Sequence, residues 1–156
     1  MKRIALLLAA APTLAASQPS AALDAKAAQA IVAGCAAHAT SKMQSEAIAV
    51  VDNGGHLVAA LRMDGNGSGI FDFALAKAEA AAAWGFPTAQ MVESAKGTPG
   101  FANAPHVVTV AGGVPVFGAD GTSRIGAVGV SGEAPEDDAA CAETGIKAAG
   151  LRSSRS

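Results

Sequence analysis

The strongest local constraint on this chain is the turn Asp52-Asn53-Gly54-Gly55-His56, which separates two apolar runs at 47–51 and 57–61. An Asp/Asn residue followed by glycines favours a tight hairpin turn, because such turns need positive φ angles. Both runs are rich enough in Val, Ile and Leu, and short enough, to be strands. The sequence therefore predicts an antiparallel hairpin with strands over 46–51 and 56–62.

Hydrophobic spacing and capping residues predict the remaining elements. Helices are expected at 24–40 with Asp24 as N-cap, at 70–84, at 89–95 with Thr88 as N-cap, and at 135–149. Three further strands are expected at 106–111, 114–117 and 124–130. Gly126 and Gly129 in the last strand indicate close packing by a helix or a neighbouring backbone. Hairpin-connected strands with helices on either side predict an α+β fold with an antiparallel sheet of five strands.

The N-terminus has the features of a secretory signal peptide. Lys2 and Arg3 form a positive region, residues 4–11 form a short apolar run, and small residues near 14–17 offer a cleavage site. The apolar run is too short to be a membrane anchor, and Pro12 interrupts it. We therefore expect residues 1–17 to be removed and the mature protein to be periplasmic or secreted, without a membrane span.

The charge of the chain limits which ligands it can bind, and its two cysteines limit how it can be cross-linked. Without Lys2 and Arg3 the chain has nine basic and 13 acidic residues, a formal charge of −4, and no basic cluster. This argues against nucleic acid as a partner. In an oxidising compartment the two cysteines, Cys35 and Cys141, are compatible with a single disulfide or with two core thiols.

His38 is the best of the three histidines as a ligand to haem iron, because it is the one that lies on an apolar helix stripe. It follows Cys35 by three residues, so a thiol and an imidazole share a helix face. A structural zinc site would need four ligands, and a c-type haem attachment would need a second cysteine before the histidine. We therefore favour a core or disulfide role for Cys35.

Two cations and one serine are further candidates for site residues. Lys77 shares a helix stripe with Phe73 and Trp84, which is typical either of a lysine whose stem covers the core or of a cation that binds a carboxylate. Arg62 precedes a glycine-rich loop at 64–69 and is the second candidate cation. Ser131 does not form a nucleophile elbow, because Glu133 stands where a glycine is required.

Several segments together resemble the GlcG/HbpS-type haem-binding family. They occur in the family's order from about Leu23 to Gly150, and they are IAVVDNGGHL at 48–57, RMDG at 62–65, AKA at 76–78, GGVPV at 112–116 and GAVGVSG at 126–132. The resemblance implies a profilin-like fold, in which a five-stranded antiparallel sheet is flanked by helices over 23–150. It leaves 151–156 as a flexible tail.

The resemblance also implies homo-oligomers and, in secreted members, haem binding or haem degradation with iron release. Relatives use a threonine or a helix-1 histidine on the iron, which makes Thr88 and His38 the candidates here. With Arg62 and Lys77 as partners for the haem propionates, the expected cofactor-binding residues are His38, Arg62, Lys77 and Thr88. His38 is the expected iron ligand.

Three functions follow as hypotheses. The first is an exported, oligomeric protein that binds haem or a related tetrapyrrole without turnover. The second is an enzyme or binder acting on a small hydroxy- or oxo-carboxylate of glycolate-type metabolism. In it Arg62 and Lys77 would hold the carboxylate, and Asp52 or His56 would carry a proton. The third is an oligomer that senses oxidants through Cys35 and Cys141.

Overall fold

Residues 22–156, which the computed structural model of the chain describes, form four α-helices, one 3-10 turn and four β-strands. The proposed signal peptide lies outside these residues. In chain order the elements are α1 (Ala25–Ser41), β1 (Ala47–Asp52), β2 (Leu57–Arg62), α2 (Ser68–Trp84), α3 (Thr88–Gly97), the 3-10 turn Phe101–Asn103, β3 (Gly113–Phe117), β4 (Arg124–Ser131) and α4 (Pro135–Ala148).

The strands form one antiparallel sheet in the order β2-β1-β4-β3. The predicted hairpin is confirmed, since β1 pairs with β2 and Asp52 accepts hydrogen bonds from the N–H groups of Gly54 and His56. Gly85, in the left-handed region at φ 77°, ends α2. Four helices with one antiparallel sheet confirm the α+β class predicted from the sequence.

The strand predicted at 106–111 is wrong, and the described part of the chain has four strands rather than five. His106 stands in the left-handed region at φ 58°, and the next segment is irregular. The indole Nε1 of Trp84 donates a hydrogen bond to the carbonyl of Pro105 at 3.0 Å. This contact ties the segment to the end of α2, which explains why its valines form no strand.

The helices cover the two faces of the sheet, so the core has two parts. On one face α1 and α4 pack on branched side chains, including Ile48, Val50, Val128 and Val130. On the other face α2 packs on Ala47, Ala49 and Ala127 through its own alanines. The small residues let α2 approach closely: a Cβ added at Gly129 would lie 2.0 Å from the carbonyl oxygen of Ala74. The predicted close packing at Gly129 is confirmed.

A disulfide joins Cys35 of α1 to Cys141 of α4, with the two Cα atoms 4.7 Å apart. Both cysteines are fully buried. The bridge therefore fastens together the two helices that cover one face of the sheet.

The segment 151–156, predicted to be a flexible tail, is hydrogen-bonded to the edge of the sheet. The backbones of Phe117 and Arg152 exchange two hydrogen bonds, and the N–H of Ser156 donates to the carbonyl of Gly121. In the structure this segment extends the pairing at the outer edge of β3.

Candidate functional site

The predicted site residues gather at one end of the sheet. There Ala47, the first residue of β1, pairs with Arg62 on one side and with Ser131 on the other. Glu46 precedes this pairing directly, so we name this region the Glu46 end of the sheet. Asp52 and His56 lie at the opposite end of β1, which separates them from Arg62.

Lys77 is fully buried, with 1% of its surface exposed. Its Nζ donates to Asp138 Oδ2 of α4 at 2.6 Å and to the carbonyl of Val130 at 2.9 Å, and it lies 4.9 Å from the ring centre of Phe73. A buried, paired ammonium is held firmly, because separating it from its carboxylate would leave two uncompensated charges. Of the two interpretations drawn from the sequence, the lysine whose stem covers the core would keep its ammonium at the surface, which its burial contradicts. The structure places it in a salt bridge that links α2 to α4.

Gly112 makes this salt bridge possible. It stands at φ 121°, and a Cβ built there would lie 2.8 Å from Lys77 Nζ and 2.5 Å from the carbonyl oxygen of Val130. A side chain at this position would therefore displace the ammonium. The sequence showed a glycine pair before β3, but it contained no indication that the first glycine makes room for a lysine from α2.

Glu46 is the residue that sequence reasoning missed. Its side chain is fully buried, and neither carboxyl oxygen has a hydrogen-bond partner. Burial, followed by the neighbouring Asp138 carboxyl, raises the pKa of Glu46 from 4.5 to about 8. One sequence signal was available: an acidic residue directly before the uninterrupted apolar run 47–51, which is typical of a strand buried on both faces.

Thr88 is the first residue of α3 and is fully buried. Its Oγ1 accepts a hydrogen bond from the N–H of Gly113 at 2.9 Å, which joins α3 to β3. The N-cap of α3 is Pro87, so the predicted capping role of Thr88 is wrong. The hydroxyl keeps its own donor hydrogen and a second lone pair, but it is closed to solvent, so a haem contact at Thr88 requires the residues that cover it to move.

His38 lies in the last turn of α1 and is half-buried. Its Nε2 is buried and has no hydrogen-bond partner among the described residues. The ring lies near the N-terminus of α4, where Lys42 donates to Asp137 at 3.0 Å and, with His38 also nearby, the pKa of Asp137 is lowered. A buried imidazole nitrogen without a partner is uncommon in folded proteins and has an unused coordination position.

Arg62 is exposed at the end of β2, and its guanidinium donates to the carbonyl of Asn66. It borders a surface groove of about 520 Å³ between the end of α1 and β2. The apolar part of this groove comes from Met43, Leu61 and Met63. We name it the Arg62 groove.

The four predicted residues thus share one end of the sheet but not one pocket. His38 belongs to the α1 and α4 layer, whereas Lys77 and Thr88 lie on the side of α2 and α3. Arg62 stands at the edge strand and is exposed, so it forms no cationic pair with the buried Lys77. Of the four, Arg62 lines the Arg62 groove, whereas His38 does not line it and its Nε2 is closed to solvent.

Among residues 22–156 no group of three or more His, Cys, Asp or Glu side chains is arranged to hold a metal ion. This part of the chain also contains no helix that is long and apolar enough to cross a membrane. The disulfide to Cys141 gives Cys35 one of the two roles favoured from the sequence.

The model of the family described as "Haem degrading protein HbpS-like" matches residues 23–147. The chain belongs to the HbpS-like family. Two solved structures with similar sequences share the fold. A double mutant of HbpS from Streptomyces reticuli is 28% identical, with a TM-score of 0.75 and coverage of 90% of this chain and 97% of that one. Klebsiella pneumoniae ORFY is 26% identical, with a TM-score of 0.77 and coverage of 88% and 97%.

A third structure, a PduOC:heme complex, is 24% identical to this HbpS-like chain, with a TM-score of 0.78 and coverage of 86% of this chain and 100% of that one. At this identity the likeness concerns the fold alone. None of the curated proteins matches the sequence.

Proposed function

We propose that this HbpS-like protein binds haem non-covalently and does not turn it over. The observation that carries the proposal is the buried Nε2 of His38, which has no hydrogen-bond partner among the described residues. The family description, which names haem, supports it. Haem, when bound, would supply an iron that an imidazole nitrogen can coordinate, and His38 would be the residue to hold it. Because Nε2 of His38 makes no hydrogen bond with the described residues, coordination of iron would not break an existing hydrogen bond.

The Arg62 groove is the surface proposed to receive the edge of the ligand. It combines apolar side chains with an exposed guanidinium, which suits a flat apolar ring that carries carboxylates. Lys77 does not fit a propionate contact, since binding one would break its pair with Asp138. Among the predicted cations, Arg62 is therefore the one assigned to a carboxylate.

A hemin titration followed by absorbance tests the proposal. Wild-type protein is expected to give a saturable shift of the Soret band, and His38→Ala is expected to bind at least about tenfold more weakly, which corresponds to about 1.4 kcal/mol. His56→Ala is the matched control, because this histidine is exposed on the hairpin and should leave binding unchanged. A saturable shift that His38→Ala and His56→Ala both retain would remove the ligand assignment. The absence of any shift would remove the function.

The role of Arg62 has a separate test. Because the guanidinium is exposed, Arg62→Gln is expected to weaken hemin binding only about two- to fivefold, in the range of surface ion pairs. Arg155→Gln, an exposed arginine near the end of the chain, is the control and should bind like wild type. Equal affinities for the two variants would place the propionates elsewhere.

Turnover is the alternative that the family description favours. Hemin-loaded protein would be incubated in air with ascorbate, and loss of the Soret band would be compared with that of hemin bound to serum albumin. We expect equal rates for the two samples. A faster loss that depends on His38 would instead assign haem degradation.

The proposal includes export to an oxidising compartment. It is supported by the basic and apolar N-terminal sequence and by the bridged pair Cys35–Cys141. Expression of the full chain in a bacterium, followed by fractionation, should find a shortened protein in the periplasm or medium. Full-length protein confined to the cytoplasm would reject export.

A further inference from the structure

The densest group of buried ionisable side chains in the described residues lies at the Glu46 end of the sheet, and haem binding as proposed above does not use it. It consists of Glu46 before β1, Lys77 of α2 and Asp138 of α4, which are all at most 2% exposed. Lys77 and Asp138 form the 2.6 Å salt bridge, and Asp138 Oδ1 also accepts a hydrogen bond from the N–H of Glu133 at 3.1 Å. That N–H directly follows Gly132, where a Cβ built on the backbone would lie 2.9 Å from Glu46 Oε2, so the two carboxyls are neighbours at the segment between β4 and α4.

The balance of charge in this cluster requires a proton. With both carboxyls ionised, one ammonium would face two negative charges in a site closed to water, and the cluster would carry a net charge of −1. Two neighbouring carboxyl groups in such a site do not both ionise, because burial and mutual repulsion oppose the second charge. If Glu46 keeps its proton, the cluster is neutral, and an otherwise unpartnered oxygen gains a donor role toward Asp138.

The neighbouring groups also favour retention of the proton. Glu133, on the segment between β4 and α4, adds a further negative charge near Glu46, and Lys77 is the one nearby cation that acts on it in the opposite sense. The β2 side offers Met63, whose Sδ contacts the N–H of Glu46 at 3.4 Å and carries no charge. The titratable group of α1 in this region is His38, which lowers the pKa of Asp137 rather than that of Glu46.

Backbone packing closes the site. A Cβ built at Gly132 would lie 2.9 Å from Glu46 Oε2, and one built at Gly112 would lie 2.9 Å from the Cβ of Asp138. Both glycines have positive φ, so the chain bends around the carboxyl pair on two sides. A side chain at either glycine would therefore take space that Glu46 and Asp138 occupy.

We propose that Glu46 and Asp138 share one proton, and that this proton acts as a structural ligand that joins β1 and α4, with α2 attached through Lys77. The shared proton converts a repulsive pair of carboxylates into a hydrogen-bonded pair. It makes the fold at the Glu46 end sensitive to pH in the alkaline direction. The proposal does not depend on haem binding.

The direction of the pH effect follows from proton linkage. The folded protein holds the Glu46 proton up to a pKa of about 8, whereas the unfolded chain releases it near 4.5. Between these values the folded state binds more protons, so the contribution of Glu46 to stability is complete below pH 4.5 and falls as the pH rises to about 8.

A carbon-13 NMR titration of protein labelled at the glutamate carboxyl carbons tests the proposal on the wild-type chain. The sequence has six glutamates, so six carboxyl signals are expected. We expect one signal, that of Glu46, to titrate at least about two pH units above the usual glutamate pKa of 4.5. If all six titrate together in acid, the shared proton does not exist.

The variant Glu46→Gln provides the second test, because its amide donates the same hydrogen bond and does not titrate. From pH 5 to pH 9 the melting temperature of wild type is expected to fall by about 5 °C or more beyond any change in Glu46→Gln. The control Glu93→Gln alters an exposed pair with Lys96 and should follow the wild-type curve. Parallel curves for wild type and Glu46→Gln would overturn the proposal. If Glu46→Gln does not fold, the NMR titration decides alone.

Discussion

Single residues at the Glu46 end determine how the three layers meet, and Lys77 makes the most specific contacts among them. Its ammonium binds Asp138 and a β4 carbonyl, and both contacts are closed to solvent. A buried pair of this kind adds little net stability compared with apolar side chains of equal volume, but removing one partner leaves a buried charge. Removal of a buried, paired lysine should therefore lower stability much more than removal of a lysine whose ammonium reaches the surface.

Lys77→Met is therefore expected to lower the free energy of unfolding by about 3–5 kcal/mol, measured by urea denaturation. Adding Asp138→Leu in the same chain should recover part of that loss, because no charge remains unpaired. Lys96→Met is the control, since this lysine forms an exposed pair with Glu93 and should change stability by less than about 1 kcal/mol. A loss below about 1 kcal/mol for Lys77→Met would mean that the ammonium is not buried.

Gly129 tests the close approach of α2 to the sheet. Gly129→Ala would place a methyl group 2.0 Å from the Ala74 carbonyl oxygen, so the helix must shift. We expect a destabilisation of about 2–3 kcal/mol in urea denaturation. The control Gly69→Ala, near the start of α2 with nothing within 4 Å of the added carbon, should be neutral or stabilising by up to about 1 kcal/mol. Equal stability of the two variants would contradict the packing.

The contrast between these residues shows what a sequence can predict at this scale. Gly129 was predicted to lie against a neighbouring backbone because a glycine inside a strand has few other purposes. The burial of Lys77 was not predicted, because its partner Asp138 is 61 residues away and belongs to another layer. Glu46 was missed for the same reason, since its environment is made by α2 and α4.

At the scale of elements, α1 and α4 form one layer that is held by a covalent bond. The Cys35–Cys141 bridge spans 106 residues of sequence, and closing so long a loop in the unfolded chain reduces its conformational entropy. The two Cα atoms are 4.7 Å apart, within the usual range for a disulfide, so the positions of the two helices suit the bridge.

Replacing both cysteines by alanine is expected to lower the free energy of unfolding by about 2–4 kcal/mol, measured by urea denaturation without reductant. Dithiothreitol should destabilise wild type and leave the double variant unchanged. Mass spectrometry of untreated protein should find no free thiol. Two free thiols after aerobic purification would contradict the bridge.

Element prediction succeeded where local signals decide and failed where they compete with tertiary contacts. The hairpin, α1 with Asp24 as its N-cap, and the stop of α2 at Gly85 all rest on residues close in sequence. The valines of 106–111 have strand propensity, but the contact of Trp84 with Pro105 and the left-handed His106 direct the chain elsewhere. Propensity is a weak prior in such a place.

At the scale of the whole molecule, the open edge of the sheet at β2 is the surface best suited to contact a second copy of the chain. In the described part of the chain β2 pairs with β1 alone, and its outward residues include Leu57 and Leu61, which are 50% and 37% exposed. An exposed apolar edge strand promotes pairing with another chain unless charges or proline block it. Between Leu57 and Leu61 there is neither. We propose that copies of this chain associate through β2, as expected for the homo-oligomer.

The double variant Leu57→Lys, Leu61→Lys should shift the protein to a smaller assembly in sedimentation velocity, because charges on an edge strand oppose pairing. Ala33→Lys, Ala37→Lys adds the same charge to an exposed face of α1 and should keep the wild-type mass. A wild-type mass equal to one chain would reject the oligomer itself. If both double variants keep a multimeric mass, the copies associate through another surface.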